Sequence, residues 1–410
     1  MSRRAVFFAP TLVVAACTAW FGCKRSDMSE PSGSPIAPTV QDLEHAHRTP
    51  DPNSAGHQGA QAVVVDAGGI TVLCTANPKG DGNHMCLIRL ADDGRVTWQR
   101  HYSQGAGSIG RGLTELPGGG FVIAGETQPS AVEFQGSILH TDADGNVVAH
   151  ASFGLPGVTG FNAIALLGDG SLLAGGGSAW KGWLLHATGA LGPVSETPIG
   201  DVDDVLGVAA IADGGFAIAA QREKSTLGFG LTRIAAFARD GHLRWQAELP
   251  TTGRGEPAAL TSFPDGSLVA VGHRVATDHD KAQIWVVRMT TSGAVAWERL
   301  LGPPDEERRG RAIVALADGG VAVAGEALRD NRRGLRVARL AADGEVAWEH
   351  AYGGDKYDVA TGLAATADGG LVLVGATMSK GPGKTNIWVL RLDREGRVLW
   401  DRVFGTAAER

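Results

Sequence analysis

Residues 358–404 read DVATGLAATADGGLVLVGATMSKGPGKTNIWVLRLDREGRVLWDRVF, and four apolar runs in this stretch, separated by glycine-bearing turns, decide the fold. The runs at 360–366, 371–375, 387–392 and 397–404 are short, aliphatic and without a 3.6-residue period, so each is predicted to be a strand. Asp368-Gly369-Gly370 separates the first two and Gly396 the last two. Asp-Gly between apolar runs predicts a tight hairpin, because glycine takes the positive φ of the turn without steric cost.

The same two turns recur upstream. The first is centred on Gly68, Gly119, Gly170, Gly214, Gly266, Gly319 and Gly369, and the second has its glycine at Gly94, Gly145, Gly189, Gly241, Gly293, Gly344 and Gly396. Each unit therefore reads strand A, tight turn, strand B, longer loop, strand C, tight turn, strand D. Seven four-stranded units at a period near 50 residues predict an all-β chain, a seven-bladed β-propeller of antiparallel blades running from about Gln61 to Gly405. A β-helix needs shorter rungs and an α-solenoid needs helical periodicity. Strand A is rich in small residues, as in Gly362-Leu363-Ala364-Ala365, which suits the innermost strands crowding round a central channel.

From each second-turn glycine to the next first-turn glycine the count is 25, 25, 25, 25, 26 and 25, whereas within units it is 26, 26, 19, 27, 27, 25 and 27. Length thus varies only on the side that holds the B–C loop. Alternating strand direction puts both tight turns on one face and the B–C loops with the D–A connections on the other. Loops on a rigid scaffold carry function, so the B–C/D–A face is the expected binding surface. Arg329, Arg332 and Arg333 in one B–C loop are its candidate contacts for an anionic partner.

Trp98, Trp245, Trp297, Trp348 and Trp400 each fall four residues after the C–D glycine, while units two and three have Ala149 and Pro193 there. Recurrence at one position predicts inter-blade core rather than a ligand platform. Trp183, Trp285 and Trp388 in strand C are expected to cover Gly175, Gly272 and Gly375 at the end of strand B. Unit one has Cys74 and Cys86 at these two positions. If the positions are cross-strand neighbours, the cysteines are set for a disulfide, two buried free thiols being the alternative.

The first 23 residues are a different material. Arg3 and Arg4 precede an apolar run and Val14-Ala15-Ala16-Cys17, the shape of a secretory signal with a lipobox whose lipidated residue is Cys17, or alternatively Cys23. Residues 24–58, rich in Pro, Ser, Asp and His, read as a disordered tether; 59–405 form the propeller and 406–410 a tail. Within the tether, a segment such as 40–48 could add an outer strand. The repeat opens on strand A and closes on strand D, so the ring is expected to close by packing without strand exchange. A net charge of -7 with interspersed signs gives no reason to expect nucleic acid.

Tyr352-Gly353-Gly354-Asp355, Asp358, Ala360, Asp368-Gly369-Gly370 and Val374-Gly375-Ala376-Thr377 resemble the bacterial β-propeller repeat family whose units run Tyr-Gly-Gly, Asp, Ala, Asp-Gly, Gly-x-Thr-x-Ser. Asp393 through Gly396 to Trp400 is similar to the Asp-x-x-Gly-x-x-x-Trp ending of quinoprotein-like and kelch-like blades. The resemblance spans about 61–405 and implies an exported seven-bladed propeller lipoprotein; it says little about a ligand.

No His-x-x-x-His or Cys-x-x-Cys spacing occurs, so no metal site and no cofactor are expected. Acidic residues cluster in the D–A connections: Asp201, Asp203 and Asp204, then Asp305 with Glu306 and Glu307, then Asp355 and Asp358. They are weak candidates for Ca²⁺, since Asp in turns more often caps its own backbone. The chain is therefore expected to be a monomeric, non-enzymatic envelope lipoprotein, held at the outer membrane or cell surface by its lipid alone, that binds a protein or glycan. The alternatives are an envelope assembly scaffold resembling the propellers that serve outer-membrane protein insertion, and a quinoprotein-like or other propeller enzyme.

Overall fold

The computed structural model describes residues 39–40 and 58–405, apart from 78–82, 104–106, 131–132, 155–158, 179–180, 189–190, 192–193, 225–228, 251–252, 277–280 and 330–331. Cys17, Cys23, His45, His47, Gly189 and Pro193 lie outside these residues. The described chain is all β, in seven sheets whose strands are hydrogen-bonded in the sequential order A-B-C-D. This is the seven-bladed propeller.

The inner strands are Gln58–Asp66, Gly107–Glu115, Thr159–Leu166, Asp204–Ala210, Arg254–Ser262, Glu307–Ala315 and Asp358–Ala365. They approach closely. A Cβ added to Gly112 would meet the Ile164 backbone nitrogen of the next blade at 2.9 Å, one on Gly207 would meet that of Leu260 at 3.0 Å, and one on Gly362 would meet the Ala62 Cα at 3.0 Å. Only glycine or alanine fits where seven strands converge, which is the reason for the small residues of strand A.

The A–B and C–D turns are three-residue hairpins. At 366–370 the Gly369 amide donates to the Thr366 carbonyl and the Thr366 amide to the Gly370 carbonyl, with Gly369 at φ +81°. Asp368 accepts the Gly370 amide at 3.1 Å and so fixes the turn that its glycine permits. On the opposite face the hairpins differ in reach. Strands B and C run out furthest in blades two, four and six, to Ser130/Glu133, Lys224/Phe229 and Arg329/Arg332.

One apolar cluster fills each junction between neighbouring blades, including that between blades seven and one, where Val372, Val374, Ile387 and Val389 pack on Ala60, Val72, Cys74 and Ile88. The strand-D tryptophans occupy the outer rim of these junctions and are half-buried. Each lies on the C–D turn glycine of the following blade: a Cβ on Gly145, Gly293, Gly344, Gly396 or Gly94 would strike Trp98, Trp245, Trp297, Trp348 or Trp400 at 2.5–3.1 Å. The indole N–H groups of Trp245, Trp297, Trp348 and Trp400 donate to carbonyls of Thr291, Ala342, Arg394 and Asp92 in those turns, at 2.8–3.0 Å. Gly241, which follows blade three with Pro193 in place of a strand-D tryptophan, has nothing within 4 Å.

Ring closure therefore uses hydrogen bonds as well as packing. Trp400 and Arg402 reach the turn at 92–94, Thr361 Oγ1 donates to the Ala60 carbonyl at 2.8 Å, and the Gln58 amide to that of Thr385 at 3.3 Å. Among the described residues no strand is exchanged between the first and last blades. Thr39–Val40 is an outer strand that pairs antiparallel with strand D of blade two at Ser152 and Ala151; of the expected segment 40–48, residues 41–48 lie outside the described residues. Blade three keeps all four strands, its outer one reduced to Val194–Ile199.

Cys74 and Cys86 face each other across strands B and C and are joined in a disulfide, with Cα atoms 4.8 Å apart. The register confirms the equivalence with Gly272–Trp285 and Gly375–Trp388, but in blade three the partner of Trp183 is Gly176, one residue beyond Gly175. A strand-A bulge explains the glycine. A Cβ at Gly176, Gly272 or Gly375 would lie 1.9 Å from a strand-A carbonyl.

Trp400→Ala is expected to cost about 2 kcal/mol, less than the ~3–5 of a fully buried aromatic, as a lowered urea midpoint with an unchanged slope. Removing the disulfide as the double alanine variant is expected to cost about 2–3 kcal/mol in the same measurement, whereas no change with dithiothreitol would show that the bridge adds nothing.

Candidate functional site

Each of the seven A–B pairings carries a bulge, and the bulged residues are Gln61, Arg111, Asn162, Leu206, Ala258, Arg311 and Thr361. Together with the two residues after each, they line a central channel of 210 Å³. A bulge re-aims one side chain without ending the strand; here it does so once per blade. Polar groups take five of the seven places.

These groups are braced from the wall. Arg111 donates to Glu126 at 2.9 Å, and at the equivalent positions of blade six Arg311 donates to Glu326 at 2.8 Å. The Asn162 amide donates to Asp204 at 2.8 Å and to the Val205 carbonyl at 3.1 Å. Burial pushes the Asp204 carboxyl up to about 6, against the lowering effect of the Asn162 hydrogen bond and the Arg111 charge. His273 Nε2 stands 3.3 Å from Glu256, yet burial and the charges of Arg309 and Arg311 push its imidazole down to about 3.

A second concavity opens on the B–C/D–A face of blades six and seven. This groove, 500 Å³ in volume, is lined by Glu306, Gly334, Arg336, Ala351 and Tyr352 to Lys356. Arg336 comes within 3.9 Å of Glu306, which also pairs with Arg308 at 2.6 Å. Asp355 and Lys356 are exposed at its edge. The groove is thus open and charged with both signs.

The motif residues beside it are architectural. Asp358, fully buried, accepts the Gly354 amide at 2.8 Å, Thr377 Oγ1 at 2.5 Å and Ser379 Oγ at 2.7 Å, tying the D–A connection to the end of strand B. The Tyr352 hydroxyl donates to the Gly396 carbonyl of the next blade at 2.5 Å. The second Gly of Tyr-Gly-Gly, the Asp and Thr-x-Ser thus make one hydrogen-bonded node, and the Tyr makes a separate tie to the next blade.

The acidic candidates do not converge. Asp201 pairs with Arg233, Asp204 and Glu307 begin inner strands rather than lying in connections, Asp358 is consumed by its node, and Asp305 and Asp355 are exposed. Among the described residues no three His, Cys, Asp or Glu side chains could hold a metal ion. The arginine loop is also redrawn. Arg329 and Arg332 are paired strand residues, and Arg333, 8% exposed, is turned inward against Glu326 at 2.8 Å with its guanidinium 5.5 Å from the Tyr357 ring.

Sequence reasoning missed the channel ring. Its signal is present: in every unit a variable residue precedes Gly or Ala and then an aliphatic, as in Arg111-Gly112-Leu113 and Thr361-Gly362-Leu363. Variability at a fixed inner position, not a motif, marks the channel.

Residues 232–410 match the family described as outer membrane protein assembly factor BamB. No curated protein matches the chain. Among solved structures it is similar to a periplasmic gluconolactonase of Pseudomonas aeruginosa, with a TM-score of 0.55 at 13% identity over 87% of this chain and 97% of that one. It is similar to Sqt1 from Chaetomium thermophilum at 0.51 and 13%, over 90% and 92%. For a puromycin hydrolase the values are 0.50 and 16%, over 86% and 54%, so the chain spans about half of that protein. At such identities the likeness is one of fold.

The raised Asp204 carboxyl has a pH consequence. Its folded value lies above the unfolded 3.8, so the folded state binds more protons between these values and stability falls as pH rises from about 4 to 6. Asp204→Asn is expected to gain stability over wild type as pH rises through that window; urea midpoints that stay parallel from pH 4 to pH 7 would refute this.

Proposed function

We propose that this chain is an exported, lipid-anchored, non-enzymatic propeller that binds a protein or glycan partner through its B–C/D–A face. The observation that carries this reading is the open groove of 500 Å³ beside Asp355 and Lys356, on the face where connection length varies between blades. Its exposed charges of both signs suit a polar partner surface, and insertions there leave the sheets untouched.

Reversing the groove charges with Lys356→Glu and Arg336→Glu is expected to reduce partner capture in envelope pull-downs by tenfold or more, with the urea midpoint retained. Undiminished capture by the doubly reversed variant would overturn the assignment of the face. For the anchor, Cys17→Ala is expected to move the protein from the membrane to the soluble fraction; retention would transfer the role to Cys23 or to an uncleaved leader.

A second reading, an envelope scaffold for outer-membrane protein assembly, is favoured by the family match over 232–410. It predicts lowered outer-membrane protein levels in cells lacking the chain. Dye reduction on addition of pyrroloquinoline quinone and calcium would instead support a quinoprotein-like enzyme.

A further inference from the structure

We propose that the central channel is a binding site for a small hydroxylated carboxylate, with the guanidinium groups of Arg111 and Arg311 as its cationic contacts. The bulged positions form an amphipathic ring: Leu206 and Ala258 of adjacent blades make an apolar arc, and Gln61, Arg111, Asn162, Arg311 and Thr361 make a polar one. Leucine and alanine satisfy the bulge in blades four and five, so closing the ring does not require a guanidinium. Two of them nevertheless occupy equivalent places in blades two and six.

Both are pre-oriented for a ligand. Glu126 and Glu326 each hold one side of a guanidinium from the wall, while the arginine side chains remain 31% and 33% exposed. Such a planar fork matches a carboxylate through paired N–H donors. The charge balance points the same way. Glu326 Oε1 accepts from both Arg311 and Arg333 at 2.8 Å, so one carboxylate faces two cations.

Hydroxyl groups on the ligand, which both donate and accept, match the remaining polar groups of the ring, where Gln61 offers an amide of both kinds. The Asn162 amide is committed to Asp204 and Val205, leaving its carbonyl, and Thr361 donates to the Ala60 carbonyl, leaving its lone pairs. The channel's 210 Å³ leaves room for a small ligand as well as ordered water. The assignment is independent of the loop-face reading, whose groove residues do not line the channel.

Calorimetric titration of the full chain with galacturonate, its neutral twin galactose and inorganic phosphate tests this. Galacturonate is expected to bind at least tenfold more tightly than either of the others. Arg111→Gln and Arg311→Gln are each expected to weaken it at least tenfold, and Arg111→Lys, which keeps the charge without the fork, to fall between. No binding of galacturonate, equal binding of galactose, phosphate binding as tight as galacturonate, or unchanged affinity in the glutamine variants overturns the proposal. If Arg311→Gln fails to fold, Arg111→Gln decides, since its partner Glu126 is less buried than Glu326.

Discussion

The contact on which the ring depends is the indole of a strand-D tryptophan lying on the C–D turn glycine of the next blade. A glycine there leaves a flat backbone patch, and the indole covers it while its N–H satisfies a turn carbonyl two residues upstream, as Trp348 does with Gly396 and Arg394. Any side chain at the glycine would collide with the ring, and its φ near +80° disfavours other residues as well. Two constraints therefore meet on one residue. The same contact made by Trp400 on Gly94 turns a row of blades into a closed ring.

Closure in turn sets what the inner strands can be. Seven strands brought side by side leave room only for Gly or Ala at the crossing point, and the residue just before must bulge to keep the sheet continuous. That geometric necessity creates a ring of seven outward-free positions facing one another across the channel. Most could be occupied by anything small. Arginine at two of them, each braced by a glutamate of the same blade, is chemistry that packing did not demand.

The blade repeat was legible because its determinants are local. Asp-Gly turns, alternating short apolar runs and a fixed count between glycines report positive-φ positions and strand length, which depend on neighbours in sequence. The Cys74–Cys86 pairing was legible for the same reason, since two-residue replacement at cross-strand positions follows from hairpin register. Register also produced the error at Gly175, where three consecutive glycines offer no side chain to mark which one faces Trp183. The arginines at 329–333 read as a loop because nothing in the sequence shows how far a hairpin runs before it turns; Arg333 is buried between Glu326 of the facing strand and Tyr357 of the following D–A connection.

By itself, then, the sequence determined the strand count, the turns, the two faces and the small inner residues, all of which are fixed by steric rules acting over a few residues. Only the tertiary structure decided that the strand-D tryptophans sit at the rim rather than in the core and clamp the next blade. It alone also decided that Asp358 is a structural node and that Arg111, Asn162 and Arg311 share one channel. The physical reason is that the channel residues and the tryptophans meet partners about 50 or more residues away in sequence, while Asp358 gathers its partners from across one hairpin, 4, 19 and 21 residues off. The long-range meetings need neighbouring blades to pack, and no local propensity encodes them.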